Sequence, residues 1–210
     1  MKFVLNILKA FLINFLFIGL IHAATNCPSI SPKLAGDGPT EQVEAILNDI
    51  VCSFIELKKQ NNGTLFSTLN LTKKKIIPFI DLEYSTEIAL DKYWSLLDER
   101  QKKVFERDIK NSLINEYIGI LAEINQWEDI TISVNKNFTQ TDNTAKVKIL
   151  VSLDKTKAYV TLKMINKDSW KLYDLEYQSI SILDIEKVGY DSKIKRQGIE
   201  LLVKKMLSRS

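Results

Sequence analysis

The sequence predicts an α+β fold in which helices pack on a curved, mostly antiparallel four-stranded sheet that encloses an apolar pocket. Three observations carry that prediction. Apolar residues recur at helical spacing between Glu41 and Ile124, the period turns strand-like after Trp127, and a helical pattern returns from Asp184. Helices followed by a meander and a closing helix make a sheet with one face covered.

Ahead of the first element the chain reads MKFVLNILK, then AFLINFLFIGLI, then HAAT. A basic start, a short apolar stretch and a small-residue cleavage region predict a secretory signal over residues 1–24. The apolar run is shorter than the roughly 20 residues that cross a bilayer. Residues 25–40, rich in Pro, Gly, Ser and Asp, read as a loose arm, and 41–210 as a single domain.

The first helix opens near Glu41, with Val43, Ile46, Leu47, Ile50, Val51, Phe54 and Ile55 on one stripe, and fades at KKQNNG. Thr72–Ile77 is expected as a short helical turn stopped by Pro78, and Leu82–Leu90 as another helix. The best-marked element starts at Asp98, where D-E-R-Q has the form of a capping box, and runs to about Ile124 along Val104, Phe105, Ile109, Leu113, Tyr117, Ile120 and Leu121.

Ile130, Ile132 and Val134 alternate with polar residues, and NKNFTQTDN reads as a loop. Ala145, Val147, Ile149, Val151 and Leu153 then share one face, with Lys146 and Lys148 opposite. Ala158, Val160, Leu162 and Met164 form the next strand, and Ser169–Leu183 reads as one long strand. The closing helical region turns Ile194, Ile199, Leu202, Val203 and Met206 inward.

Composition narrows the chemistry. Losing the signal removes Lys2 and Lys9 and no acid, so a formal charge of +3 falls to about +1. Both signs are interspersed, and no nucleic-acid partner is expected. The only histidine, His22, lies in the predicted signal. His-assisted nucleophilic catalysis and His-containing metal sites are thereby excluded from the exported chain. No glycine-rich phosphate loop is present, and no cofactor, metal ligand or catalytic residue is expected.

Asp81 with Glu83, or Asp174 with Glu176, are the only carboxylate pairs considered for glycoside chemistry, and at i, i+2 on a strand they merely share a face. Cys27 and Cys52 either pair in an oxidising compartment or stay unlinked thiols. The run Lys73-Lys74-Lys75 reads as a solvated helix face or a contact for anionic headgroups or an acidic partner.

Two stretches carry a resemblance. ALDKYWSLLDERQKKVFERDIKNSLINEY contains Tyr93-Trp94, then Gln101, Phe105 and Tyr117; further on come Trp170, Tyr173, Asp174, Ser181 and Gly198-Ile199. These resemble the Leu-Gly-Arg-Tyr-Trp stretch, the Gln/aromatic/Tyr helix and the Trp-x-x-Tyr-Asp strand of the MlaC, or toluene-tolerance, family of periplasmic phospholipid-binding proteins. Asp91 stands where that family has Gly, Gln178-Ser179 where it has Glu-Gly, Ile185-Glu186-Lys187 where it has Asn-Tyr-Arg, and Leu201 where it has a second Gly.

The resemblance implies an NTF2-like cone in the periplasm. It also implies a non-enzymatic carrier, moving phospholipid between an outer-membrane lipoprotein complex and an inner-membrane ABC transporter fronted by an MCE-domain protein. At about 0.8 kcal/mol per methylene, one long acyl chain is worth on the order of 12 kcal/mol, so such a carrier must shield the tails. The lining expected is Val147, Ile149, Val160, Leu162, Trp170 and Leu172 on the sheet, facing Tyr117, Ile120 and Leu121 on the long helix, with Tyr93 and Tyr173 nearby. The rival expectation is an interaction or adaptor domain on the same scaffold, its core filled by its own side chains.

Overall fold

In a computed structural model, the residues described are Cys27, 38–60, 64–123, 127–153 and 155–208, the side chains at 116–123 and 127 excepted. Helix α1 spans Pro39–Lys59, with Pro at its first turn, Glu41 near the start and Lys58 and Lys59 at the end. Each suits the end it occupies: Pro lacks only an amide that a first turn leaves unbonded, and the charges oppose the helix dipole. Cys27 and Cys52 are joined by a disulfide, with Cα atoms 5.5 Å apart and a sequence separation of 25. Restricting an unfolded loop of that length stabilises the fold by about 3 kcal/mol.

Helix α2 spans Leu65–Lys75 and is capped by Thr64, whose Oγ1 accepts from the Ser67 amide at 3.2 Å. The helical turn expected at Thr72–Ile77 is thus the end of a longer helix, followed by a separate 3₁₀ turn at Ile77–Phe79 over Pro78. The element escaped the periodicity because its fully buried positions are Thr68 and Thr72, which are not apolar residues.

Helix α3, Leu82–Leu90, is capped by Asp81, whose Oδ1 accepts from the Tyr84 amide at 2.9 Å. It leads through a 3₁₀ turn at Asp91–Leu96 into α4, Glu99–Glu123. The expected capping box is formed: the Gln101 amide donates to Asp98 Oδ1 at 2.7 Å and the Asp98 amide to Gln101 Oε1 at 3.0 Å.

The sheet has six strands rather than the four expected: β1 Thr131–Val134, β2 Thr139–Thr141, β3 Thr144–Leu153, β4 Thr156–Asn166, β5 Trp170–Tyr177 and β6 Ile180–Ser181. Its order is β1-β3-β4-β5-β6, with β2 also on β3 and every pairing antiparallel. The two additional strands are short. β2 lies in the stretch read as a loop, and β6 comes from breaking the long strand expected over Ser169–Leu183. Gln178 and Ser179, both at positive φ (51° and 64°), turn the chain back on itself there.

From Ile182 the chain is helical: α5 spans Ile182–Gln197 and α6 Ile199–Leu207. Gly198 separates them at φ 81° and ψ 156°, a conformation that side chains with a Cβ scarcely adopt.

Three clusters form the core. The first joins the helices around Phe105, Ile109, Leu183 and Tyr190, all but fully buried. A second lies on the inner sheet face, where Val147, Ile149, Leu162, Met164 and Trp170 meet Val43 of α1. The third gathers Val51, Phe54 and Ile55 of α1 against Ile130. Leu172 packs against both the first and the second, so the helical and sheet layers meet at β5.

Candidate functional site

The residues expected to line a pocket divide into three groups. Val147, Ile149, Leu162 and Trp170 are buried on one sheet face, with Val160 and Leu172 packed partly buried beside them. They form one continuous apolar wall. Tyr93 lies apart in the helical cluster, where its hydroxyl donates to Asp191 Oδ1 at 2.9 Å. Tyr117, Ile120 and Leu121 fall in the last turns of α4, and their side chains lie outside the described residues.

A register shift shapes β5. Leu162 pairs with Leu175 and Lys163 with Asp174, but Met164 pairs with Leu172, which leaves Tyr173 as the extra residue of a bulge. The bulge reverses the alternation. Leu175 therefore joins Leu172 on the inner face, while Asp174 faces Lys163 on the other.

At this bulge the two layers leave a crevice of about 10 Å³, lined by Leu172, Tyr173 and Leu175 of β5, Ile80, Leu113 of α4, and Leu183 of α5. It holds no more than a water-sized group. A larger concavity of about 340 Å³ lies on the opposite sheet face among Lys146, Lys148, Thr161 and Glu176. Its charged lining suits polar ligands and repels hydrocarbon.

Polar groups fasten the rim of the crevice. Asp174 is only 5% exposed. It accepts from Lys163 Nζ (2.7 Å), Ser181 Oγ (2.6 Å) and the amides of Leu175 (2.8 Å) and Leu183 (3.2 Å). Ser181 in turn caps α5 by accepting from the Asp184 amide at 3.1 Å. One buried carboxylate thus latches the start of α5 to β5. Burial disfavours the Lys163 charge, yet its hydrogen bond to Asp174 and the charges of Asp174 and Glu176 outweigh that and raise its pKa.

Ser85 on α3 donates to the Tyr173 carbonyl at 2.7 Å, and Tyr84 meets the Tyr173 ring edge-on at 5.0 Å. Burial, reinforced by Tyr84, pushes the Tyr173 phenol above its ordinary pKa. Three of the four carboxylates considered for catalysis, Asp81, Asp174 and Glu176, are engaged structurally. Asp81 caps α3 and pairs with Lys167 at 3.1 Å, and Lys163 lies 3.5 Å from Glu176 as well as against Asp174.

A second latch holds α5 further along. Asp191 meets Lys195 at 2.7 Å, Lys92 at 3.2 Å and the Tyr93 hydroxyl. Lys195 and Tyr93, the strongest of these partners, lower its carboxyl to about 2. Tyr190 Oη donates to Asp108 at 3.0 Å and Ser112 Oγ to Glu186 at 2.6 Å, binding α5 to α4. Gln101 Nε2 reaches Glu200 of α6 at 3.2 Å. The helical layer is therefore tied within itself, and it meets the sheet through the apolar core and through the hydrogen bonds of Ser85 and Asp174 at β5.

Sequence reasoning missed Ile80, Leu113, Leu175, Ile182 and Leu183 as crevice residues. Leu113 and Leu183 were visible only as members of an apolar stripe or strand. Leu175 reaches the wall only through the bulge, for which no residue type is diagnostic.

Three comparisons bear on this arrangement. A phospholipid-binding protein from Ralstonia solanacearum, solved in complex with a phospholipid, has the same fold, with a TM-score of 0.68 at 23% identity over 80% of this chain and 93% of that one. The intermembrane phospholipid transport system binding protein MlaC of Haemophilus influenzae is 21% identical over 178 residues, 79% of this chain and 77% of that protein. The sequence profile of the MlaC protein family matches residues 47–208, which takes in the apolar wall, the bulge and both latches, and the chain belongs to that family.

Proposed function

We propose that this protein is a periplasmic phospholipid carrier, exported by a signal over residues 1–24 and built as one lipid-binding domain over 41–210. The observation that carries this reading is the continuous apolar wall of the sheet, in a fold whose Ralstonia counterpart was solved with a phospholipid. In this reading the acyl chains lie against Val147, Ile149, Val160, Leu162, Trp170 and Leu172. Tyr117, Ile120 and Leu121 face them from α4, with Tyr173 at the rim and Tyr93 behind it. No covalent chemistry is involved.

Sites that take ligands of this size enclose roughly 300–1,000 Å³, so a crevice of about 10 Å³ must widen before a lipid enters. We place the movement between α4 and β5, where Leu113, Leu172 and Leu175 line the crevice, while hydrogen bonds tie α4, α5 and α6 to one another. The Asp174 latch then serves as the pivot. A disulfide locking α4 to β5, through Leu113→Cys and Leu175→Cys, should abolish lipid transfer. Unimpaired transfer by the locked protein would refute the opening.

The name of the Haemophilus relative supports placing the carrier within an intermembrane transport system. Its partners would be an outer-membrane lipoprotein complex and an inner-membrane MCE-domain ABC transporter. The small crevice favours one rival reading, an adaptor with a filled core. Mass spectrometry of lipid extracted from protein purified without detergent separates the two. Near-stoichiometric glycerophospholipid is expected; protein that stays empty after incubation with phospholipid vesicles would favour the adaptor.

A further inference from the structure

We infer that the exposed face of α2 docks this protein on an anionic lipid surface. Leu65 and Phe66, adjacent at the start of the helix, are 63% and 71% exposed, and among the described residues no apolar neighbour covers them. Phe66, Asn70, Lys73 and Lys74 continue as one exposed stripe about 12 Å long, while Thr68 and Thr72 point inward. The stripe is apolar at one end and cationic at the other, and α2 contains no acidic residue.

Further cations adjoin it. Lys58 and Lys59 close α1, which packs against α2, and Lys59 precedes Leu65 by six residues, at most about 20 Å of chain. Lys75 pairs with Asp49 at 2.9 Å, but Lys58, Lys59, Lys73 and Lys74 have no ionic partner among the described residues. The helix dipole accounts for lysines in a last turn. It does not account for Leu and Phe left in water at the other end.

Size and charge together select the occupant. A stable protein interface needs about 800 Å² from each partner, built around a buried apolar centre. Two protruding side chains are too few for that. They suffice for an interfacial contact, in which a few apolar groups enter the boundary between headgroups and acyl chains while nearby lysines meet anionic headgroups. The contact would use a helix separate from the apolar wall of the sheet and does not depend on a lipid held there.

Co-sedimentation tests this with vesicles of phosphatidylglycerol and phosphatidylcholine in equal parts, against phosphatidylcholine alone, at low and high salt. The purified protein should bind the anionic vesicles, and salt should weaken the binding. Lys73→Gln with Lys74→Gln should cost about 25-fold in affinity, roughly fivefold for each lysine. Leu65→Ser with Phe66→Ser should cost about tenfold or more, while its circular dichroism and its bound lipid remain those of the parent. Tyr159→Ser, on the outer sheet face and 71% exposed, should change nothing. Absence of binding by the parent protein would overturn the proposal, as would equal binding by either double variant. Retained vesicle binding in Leu65→Ser/Phe66→Ser together with lost association with an envelope protein would replace it with a protein-docking surface.

Discussion

β3 and β5 begin from similar sequence patterns and end in different roles. β3 alternates without interruption: Ala145, Val147 and Ile149 are buried and Lys146 and Lys148 exposed. β5 starts the same way with Trp170 and Leu172, then spends one extra residue at Tyr173. That residue lets a single strand carry an apolar wall on one face and a buried carboxylate latch on the other. A regular strand supplies surface, and an irregular one positions an attachment.

Removing the latch is expected to have one of the largest effects. Asp174→Ala leaves the half-buried Lys163 with only Glu176, at 3.5 Å, and Ser181 with an unmet hydroxyl, and should destabilise the protein by about 3 kcal/mol in urea unfolding. Leu162→Ala tests the wall instead. A cavity beneath β4 should cost roughly 2–5 kcal/mol, with the hydrogen bonding at the start of α5 intact by amide exchange. Equal loss of protection at Leu183 in both variants would show that wall and latch are one unit.

Smaller changes sharpen it. Asp91 sits at φ 51° and ψ −122° and Ser179 at φ 64°, both where the family resemblance has glycine. These conformations cost a residue with a Cβ, so Asp91→Gly and Ser179→Gly should each raise stability by up to about 1 kcal/mol, seen as a higher melting temperature. Gly198→Ala should do the opposite, by about 1–3 kcal/mol, although no atom lies within 4 Å of the added Cβ. There the strain is in the backbone alone.

The smallest effect contrasts the buried latch with the exposed one. The Asp191 carboxyl is lowered from 3.8 to about 2, so the native state favours its charged form. Its stabilisation is complete above pH 4 and is lost as pH falls through 2, because the unfolded chain takes up the proton first. Asp191→Asn should remove that part of the acid dependence. Salt should weaken the Asp191 contribution and leave that of Asp174 largely unchanged, since screening acts mainly on exposed pairs.

Most of the scaffold was legible because its signals are local. The capping box at Asp98 and Gln101 marks the start of α4, and strict alternation marks β3 and β4. Helix α2 was only partly legible, since its buried face is made of Thr68 and Thr72 and its start is a lone Thr64. The hairpin within Ser169–Leu183 was hidden for a related reason: Gln178 and Ser179 occupy positive φ without the glycine or asparagine that usually announces it.

Residue type and spacing encoded the order of the longer helices and strands, the inner face of the sheet and the motifs that place the chain beside its family. Each depends on spacing along the chain, which residue type and period encode directly. Only the tertiary structure decided that Leu175 faces inward, that Asp174 fastens α5, and that Leu65 and Phe66 remain uncovered. Those outcomes depend on which elements meet across long separations. A bulge reverses the facing of every residue after it, and whether an apolar side chain is core or surface depends on a neighbour that its own sequence does not name.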